Sequence, residues 1–333
     1  MNFSMYSSNS DGNIAREALV DMDGKNIVIT GGAGFIGSNL VKHLVTDNHV
    51  IVIDDLSTGN IRNIQNLVLS KKIMFITGSI TDLELLQKTF RNVDYIFHEA
   101  AIPSVPRSVK DPLKSNMVNA QGTLNVLLAA RDNQVKKVIY ASSSSVYGDT
   151  PTLPKKEDMP PNPLSPYAIS KLTAEYFCEI FNRIYGLPTV SLRYFNVYGP
   201  WQDPTSEYAA VVPKFITNVL NGKSPIIYGN GEQTRDFTFI KDVVTANILA
   251  AESTSTGIYN IAGGKRISIN ELAQLIIKTC NKELSIEYQS PREGDILHSL
   301  ADVSRAKKGF NFISKFNITD GIEETIKWYQ KQT

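Results

Sequence analysis

Short, nearly continuous apolar runs alternate along the first two thirds of the chain with stretches whose apolar residues recur every three or four positions. Asn26-Ile-Val-Ile-Thr30 is the first such run, and it ends in Gly31-Gly32. Leu40, Val41, Leu44 and Val45 then fall on one face of a helix. Residues 49–53, 73–77 and 95–97 repeat the strand pattern, a helix is expected over about residues 116–131, and strands five and six over residues 137–142 and 189–194. Runs of this kind are buried on both faces. Alternating with helices, they predict an α/β fold with a doubly wound parallel sheet.

After Asn196 the rhythm breaks at Gly199, Pro200, Pro204, Pro213, Gly222 and Pro225. A helix over residues 243–251 and a strand over residues 258–261 read as returns to the main sheet. Ser268 and Glu271 form a capping box that opens an amphipathic helix through Leu272, Leu275 and Ile276. The expected organisation is an N-terminal extension (residues 1–24), a nucleotide-binding domain (25–196, with 237–264 returning) and a smaller, interleaved α/β substrate lobe (197–236 and 265–333).

The 333 residues are 42% hydrophobic, enough for a substantial core, and 34 basic against 33 acidic side chains leave a net charge of +1. No bulk field therefore draws the protein to nucleic acid or to a membrane. Lys155-Lys156 and Lys307-Lys308 read as solvated surface. The two cysteines, Cys178 and Cys280, lack metal-ligand spacing and suit a reducing compartment, and no metal is expected. Met1 to Asp23 is polar and has no signal-peptide core, so a cytoplasmic location is expected, with residues 13–20 either a short helix or a frayed end.

Gly31-Gly32-Ala33-Gly34-Phe35-Ile36-Gly37 follows the first strand and opens the first helix. Glycine lets the backbone turn tightly and approach a pyrophosphate, and the helix N-terminus offers its free N–H groups. A glycine triplet alone marks only a turn. Here Asp54 ends the second strand 20 residues beyond Gly34, the spacing of a ribose-binding acid in a Rossmann-type domain. That carboxylate favours NAD over NADP. Ser79 and Ile80 follow strand three, where adenine contacts fall, and Asp55 reads as a surface bystander.

Tyr167 and Lys171 lie four apart in a helix that begins at Pro166, so they share a face. A nearby ammonium and a cationic nicotinamide are expected to lower the phenol from its ordinary value of about 10. Ser142 to Ser145 close strand five, where open α/β sheets place their ligands.

The glycine pattern with Asp54, Ser143-Ser144-Ser145-Val146-Tyr147-Gly148 and the Tyr167/Lys171 pair resemble the extended short-chain dehydrogenases. Arg193-Tyr194-Phe195-Asn196-Val197-Tyr198-Gly199-Pro200, residues 231–237 with Arg235, and Arg292-Glu293-Gly294-Asp295 resemble their UDP-hexose 4-epimerase branch, from Lys25 almost to the end. The resemblance implies NAD as cofactor, held by Gly31, Gly34, Phe35, Ile36, Gly37, Asp54, Ser79, Ile80, Ala100, Asn119, Tyr167, Lys171 and Tyr194. It assigns the sugar O4 proton to Ser143 and Tyr167, and the nicotinamide ribose to Lys171. It places Ser104, Arg107, Ser144, Asn196, Val211 and Ser299 at the substrate. Arg235 and Arg292 would clamp its diphosphate, Tyr228 would stack near uracil, and Asp295 would accept from the uridine ribose. Relatives commonly form homodimers through two helices from each subunit, here expected over residues 116–131 and 168–185, with Leu172, Tyr176 and Glu179 either interface or core.

Related dehydratases and decarboxylases carry an acid before Val-Tyr-Gly. This chain has only Ser142 to Ser145 there, which favours epimerisation at C4 through a 4-keto sugar. Residues 101–108, 202–204 with 208–213, and 298–302 resemble epimerases preferring N-acetylated UDP-hexoses, and Ser299 stands where relatives limited to plain sugars carry a bulky tyrosine. The expected pair is UDP-N-acetylglucosamine and UDP-N-acetylgalactosamine. UDP-glucose or a UDP-hexuronic acid (Arg107 meeting its carboxylate), a decarboxylase or dehydratase, and a non-catalytic NAD sensor are the alternatives. Ser79 replaces the usual Asp of the adenine site, and Glu99 stands where relatives are more often neutral, facing either solvent or the nicotinamide pocket; His98 reads as a packed structural residue.

Overall fold

The computed structural model describes residues 22–204, 210–291 and 296–332. The glycine-ended run Asn26–Thr30 is β1, followed by α1 (Phe35–Leu44), β2 (His49–Asp54), α2 (Gln65–Leu69), β3 (Ile73–Thr77) and α3 (Leu83–Thr89). Next come β4 (Tyr95–His98), α4 (Val105–Lys110), α5 (Pro112–Asn116), α6 (Gly122–Asp132), β5 (Lys137–Ser143), α7 (Pro166–Tyr185) and β6 (Thr189–Tyr194). Beyond them lie β7 (Val197–Tyr198), α8 (Val211–Leu220), β8 (Ile226–Tyr228), β9 (Thr234–Asp236), β10 (Thr238–Phe239) and α9 (Ile240–Glu252). β11 (Gly257–Ile261), β12 (Arg266–Ser268), α10 (Ile269–Thr279), β13 (Glu287–Gln289), α11 (Ser304–Phe310) and α12 (Ile318–Gln330) complete the order.

Seven strands form one parallel sheet in the order β11-β6-β5-β4-β1-β2-β3. This is the doubly wound, Rossmann-type arrangement expected from the alternating runs. Side chains alternate across each strand, so Ile27 and Ile29 of β1 enter one apolar core with α1, α8 and α9, while Val28 enters the other with α3, α6 and α7. Burying both faces explains why these strands read as unbroken apolar runs. The strand order reverses between β1 and β4, which opens a crevice at their carboxyl ends. The shorter strands pair as β7 with β10, β9 with β12 and β8 with β13. Among the described residues no helix is long and apolar enough to cross a membrane.

Two expectations are corrected. The helix expected over residues 116–131 is interrupted: a π-helical turn, Met117–Gln121, joins α5 to α6. The wider turn carries Asn119 inward, where its amide bonds both backbone groups of Ile102 and the Ser170 hydroxyl. Lys155 is not solvated surface. It is buried, its N–H donates to Leu300 O at 2.7 Å, and its ammonium is taken up by Thr150.

Candidate active site

A cleft of about 570 Å³ runs along the carboxyl ends of β1, β2, β4, β5 and β6. Its floor is the glycine loop. Gly31 has φ of +71°, and a Cβ there would lie 2.6 Å from Ala100 N. A side chain on Gly37 would collide with the Gly31 carbonyl. The chain therefore crosses the switch point between β1 and β4 with no room for side chains, and leaves a groove that bare backbone lines. No side chain caps the start of α1, so its first-turn N–H groups stay available to a pyrophosphate. Asp54 is buried at the end of β2, its carboxylate accepting from Ala33 N at 2.9 Å and Leu56 N at 2.8 Å. Burial raises its pKa and these bonds oppose the rise. A groove of bare backbone with an acid at its ribose end fits NAD and would repel a 2′-phosphate.

Phe35, Ile36, Ser79, Ile80, Ala100, Ser104, Arg107, Tyr167, Lys171 and Tyr194 also line the cleft. The Ser79 hydroxyl accepts from the Thr81 hydroxyl at 2.9 Å, so it serves its own turn. Asp55, read as a bystander, is exposed but also lines the cleft beside Asp54. Asn119 is displaced from the cleft surface, because its amide is spent on Ile102 and Ser170; it shapes the wall from behind.

The three residues expected to be catalytic come from two elements. Ser165 caps α7 by accepting from Ala168 N at 3.1 Å, and Pro166 opens the helix, so Tyr167 lies in its first turn. Tyr167 N donates to the buried Ser108 hydroxyl at 3.0 Å, which ties α7 to α4. Lys171, one turn on, donates Nζ to Ala141 O at 2.7 Å and lies 5.9 Å from the Tyr167 ring centre. Ser143 ends β5, accepts from Ser145 N at 3.2 Å and lies close enough to the Tyr167 phenol to lower its pKa. Ser144 follows it in the short 3-10 turn Ser144–Tyr147.

Within the protein itself, the lowering expected from the ammonium and the nicotinamide together meets an opposing influence on the Tyr167 phenol. Burial dominates and raises the Tyr167 pKa; the Ser143 hydroxyl opposes this and Glu99 reinforces it. Burial also brings Lys171 down to about 8, against the pull of Glu99 and Glu175. His98 is packed: Nδ1 meets the Thr30 hydroxyl at 2.7 Å and Nε2 the Thr123 hydroxyl at 2.9 Å, and burial drives its pKa down to about 3.

Of the expected substrate residues, Ser104 and Arg107 line the cleft, whereas Ser143, Ser144, Asn196, Val211, Tyr228, Arg235 and Ser299 lie outside its lining. Asn196, at φ of +37°, donates Nδ2 to Asp236 O at 2.8 Å and so joins the sheet to β9. Arg235 donates to Thr234 O at 2.9 Å and Leu297 O at 3.2 Å, while its neighbour Asp236 is buried and turned toward Ala301 and Gly264. Ser299 N donates to Thr234 O at 3.1 Å, which sets Ser299 beside the strand carrying Arg235. Tyr228 closes β8, and Val211 opens α8 next to the cleft residue Ala210. Arg292 and Asp295 lie outside the described residues.

Several cleft residues went unread in the sequence. Ser57, Thr58, Gly59, Asn60 and Asn63 fold over the glycine loop, with Asn63 Nδ2 on Ala33 O at 2.9 Å. The polar run directly after Asp54-Asp55 was the available signal. Trp201 and Trp328 close one end with ring centres 5.3 Å apart, and Lys42 Nζ sits 3.3 Å from the Trp201 ring centre. Beneath Ser143, Ser142 bonds Glu175, whose carboxylate is doubly held by Arg193 at 2.9 and 2.7 Å.

Residues 27–262 match the sequence model of the NAD dependent epimerase/dehydratase family. A UDP-N-acetylglucosamine 4-epimerase from Methanobrevibacter ruminantium, solved with UDP-N-acetylmuramic acid, superposes with a TM-score of 0.91 at 44% identity, covering 94% of this chain and 100% of that one. The UDP-glucose 4-epimerase of Thermotoga maritima, solved with UDP-glucose, gives 0.88 at 37% identity, covering 92% and 99%. The UDP-glucose 4-epimerase of Mycolicibacterium smegmatis is 38% identical over 311 residues, 92% of this chain and 99% of that protein. With the glycine groove, Asp54 and the Tyr167/Lys171 pair in place, the chain belongs to the NAD dependent epimerase/dehydratase family and takes NAD as its cofactor.

Proposed function

We propose that the protein is a UDP-sugar 4-epimerase whose preferred pair is UDP-N-acetylglucosamine and UDP-N-acetylgalactosamine. The observation that carries the reaction is the convergence of Ser143, Tyr167 and Lys171 at the carboxyl ends of β5 and β6, with hydroxyls alone in the Ser142–Ser145 segment. Glu175, the carboxylate beneath them, is buried and held in an ion pair by Arg193 and bonded by Ser142. The 44% identical neighbour named for UDP-N-acetylglucosamine supports the N-acetylated sugar, as does the small side chain at Ser299.

When bound, NAD supplies the hydride acceptor at C4 and a cationic ring that favours phenolate. The Tyr167 phenolate accepts the O4 proton, directly or through the Ser143 hydroxyl, as the 4-keto sugar forms. Lys171, fixed by Ala141 O, holds a positive charge beside the phenol. The neutral ketone turns over in the pocket and Tyr167 returns the proton to O4 on the opposite face. The guanidinium groups of Arg235 and Arg292 hold the diphosphate meanwhile.

A homodimer accompanies this reading. Val109 (64% exposed), Leu113 (80%) and Met117 (56%) on α4, α5 and the π turn present apolar side chains to the outside, with Ile169 and Tyr176 of α7. Such a patch is characteristic of an interface.

Initial rates on UDP-N-acetylglucosamine and UDP-glucose test the substrate. A faster N-acetylated sugar supports the reading. A faster UDP-glucose keeps the epimerase and removes the preference, and net conversion to a single product in place of a C4 equilibrium overturns the reaction itself.

A further inference from the structure

One carboxylate in the cleft wall has no part in the chemistry above. Glu99 follows β4 directly, its N–H on Thr30 O at 3.1 Å, in the stretch against which Gly31 packs. The side chain reaches across to the end of β6, where Tyr194 Oη donates to Oε1 at 3.0 Å. Asn247 of α9 packs against the same hydroxyl: its Nδ2 donates to Val243 O and to Tyr194 Oη, both at 2.8 Å, and its Oδ1 lies 3.1 Å from Tyr194 Oη, so Glu99 and Asn247 share the phenol's proton. Oε2 has no hydrogen-bond partner among the described residues, and Glu99 lines the cleft. The groups facing it are Tyr167 and Lys171 from α7, Tyr194 from β6 and neutral Asn247 from α9; His98 on its own strand is kept neutral. Burial lifts the Glu99 carboxyl to about 7, opposed by the Tyr194 bond and the Lys171 ammonium.

We infer that Glu99 is an electrostatic control on the cofactor: its carboxylate, in the wall shared with Tyr167, Lys171 and Tyr194, favours the cationic oxidised nicotinamide over the neutral reduced one. Reduction adds a hydride, two electrons and one proton, to the ring and removes its positive charge. A fixed negative charge nearby therefore opposes reduction. An enzyme that must regain its oxidised cofactor in every turnover is stranded when a keto sugar escapes, and Glu99 biases the couple against that state. This rests on NAD being held with its nicotinamide toward Tyr167 and Lys171.

The test equilibrates NAD-loaded enzyme anaerobically with a redox dye and reads bound reduced cofactor by its near-ultraviolet absorbance. At pH 8 and fixed potential, Glu99→Gln is expected to raise the reduced-to-oxidised ratio about tenfold, about 30 mV for a two-electron couple. Glu99→Asp, which keeps the charge, should return the ratio toward wild type. An unchanged ratio in Glu99→Gln with cofactor fully bound overturns the inference and leaves Glu99 a structural partner of Tyr194. Should Glu99→Gln fail to fold, the wild-type potential against pH decides. Reduction removes the facing cation, so Glu99 takes up a proton and the slope steepens around neutrality; one unbroken slope overturns the inference. A protein that binds no NAD fails the cofactor assignment itself, whereas one that binds NAD with an unmoved ratio fails only this step.

Discussion

At the scale of single residues, Tyr167 is held by partners that serve its position rather than its charge. Ser108 fixes its backbone and Ser143 lies beside its hydroxyl, while burial works against phenolate. Tyr167→Phe keeps those packing contacts and removes the proton acceptor. Turnover should fall about 10²- to 10⁴-fold with NAD still bound, and loss of NAD as well would assign Tyr167 a binding role instead. His98 gives a prediction about stability. Its pKa is lowered on folding from 6.5 to about 3 by burial, so folding favours the neutral ring. The resulting stability is fully present above 6.5 and is lost as pH falls toward 3. Urea denaturation from neutral to acid pH should show a shallower decline for His98→Gln than for wild type, and parallel declines would contradict the assignment. The pairing of Ser143 with Tyr167 was legible because each residue type sits where the chemistry needs it. The direction of the Tyr167 shift was not, because burial is a property of the whole fold. Glu99 is another such case: its partner Tyr194 is 95 positions away, and no local pattern says which way the carboxylate turns.

At the scale of elements, α7 is the hub that joins the catalytic pair to the sheet. Glu175 lies one turn beyond Lys171 and is pinned between Ser142 of β5 and Arg193 of β6, with both members of the ion pair nearly inaccessible. Removing one partner strands a buried charge. Glu175→Gln should therefore cost about 3–5 kcal/mol, read by denaturant unfolding. Replacing both partners, Glu175→Leu with Arg193→Met, should cost far less, and equal losses would show that packing, not charge, makes the contact. The start of α7 was legible in Ser165-Pro166, and the start of α10 in Ser268 and Glu271, since both caps are local. The π turn was not. One widened turn leaves the spacing of apolar residues almost intact, and the bonds that stabilise it run to Ile102 and Ser170 elsewhere in the chain. Lys155 was misread for the same reason, since its burial arises from pairing with the segment around Ala301.

For the whole molecule, the parallel sheet was legible from apolar runs alone because both of its faces are covered. The arrangement of the sugar side was not, because β9, β12 and the segment carrying Ser299 meet only after β11 has rejoined the sheet. The exposed patch on α4, α5 and α7 predicts a dimer by light scattering. Leu113→Glu with Met117→Glu should yield monomers, and an unchanged mass would place the interface elsewhere. The central claim, that C4 is oxidised and then reduced by the same hydride without leaving the pocket, has a direct test. Purified protein is incubated with UDP-N-acetylglucosamine in deuterated water and the sugar resonances are followed by proton NMR. The account predicts that the galacto-configured product appears with its C4 proton at full intensity. Deuterium at C4, or no epimer at all from an NAD-loaded enzyme, would contradict it.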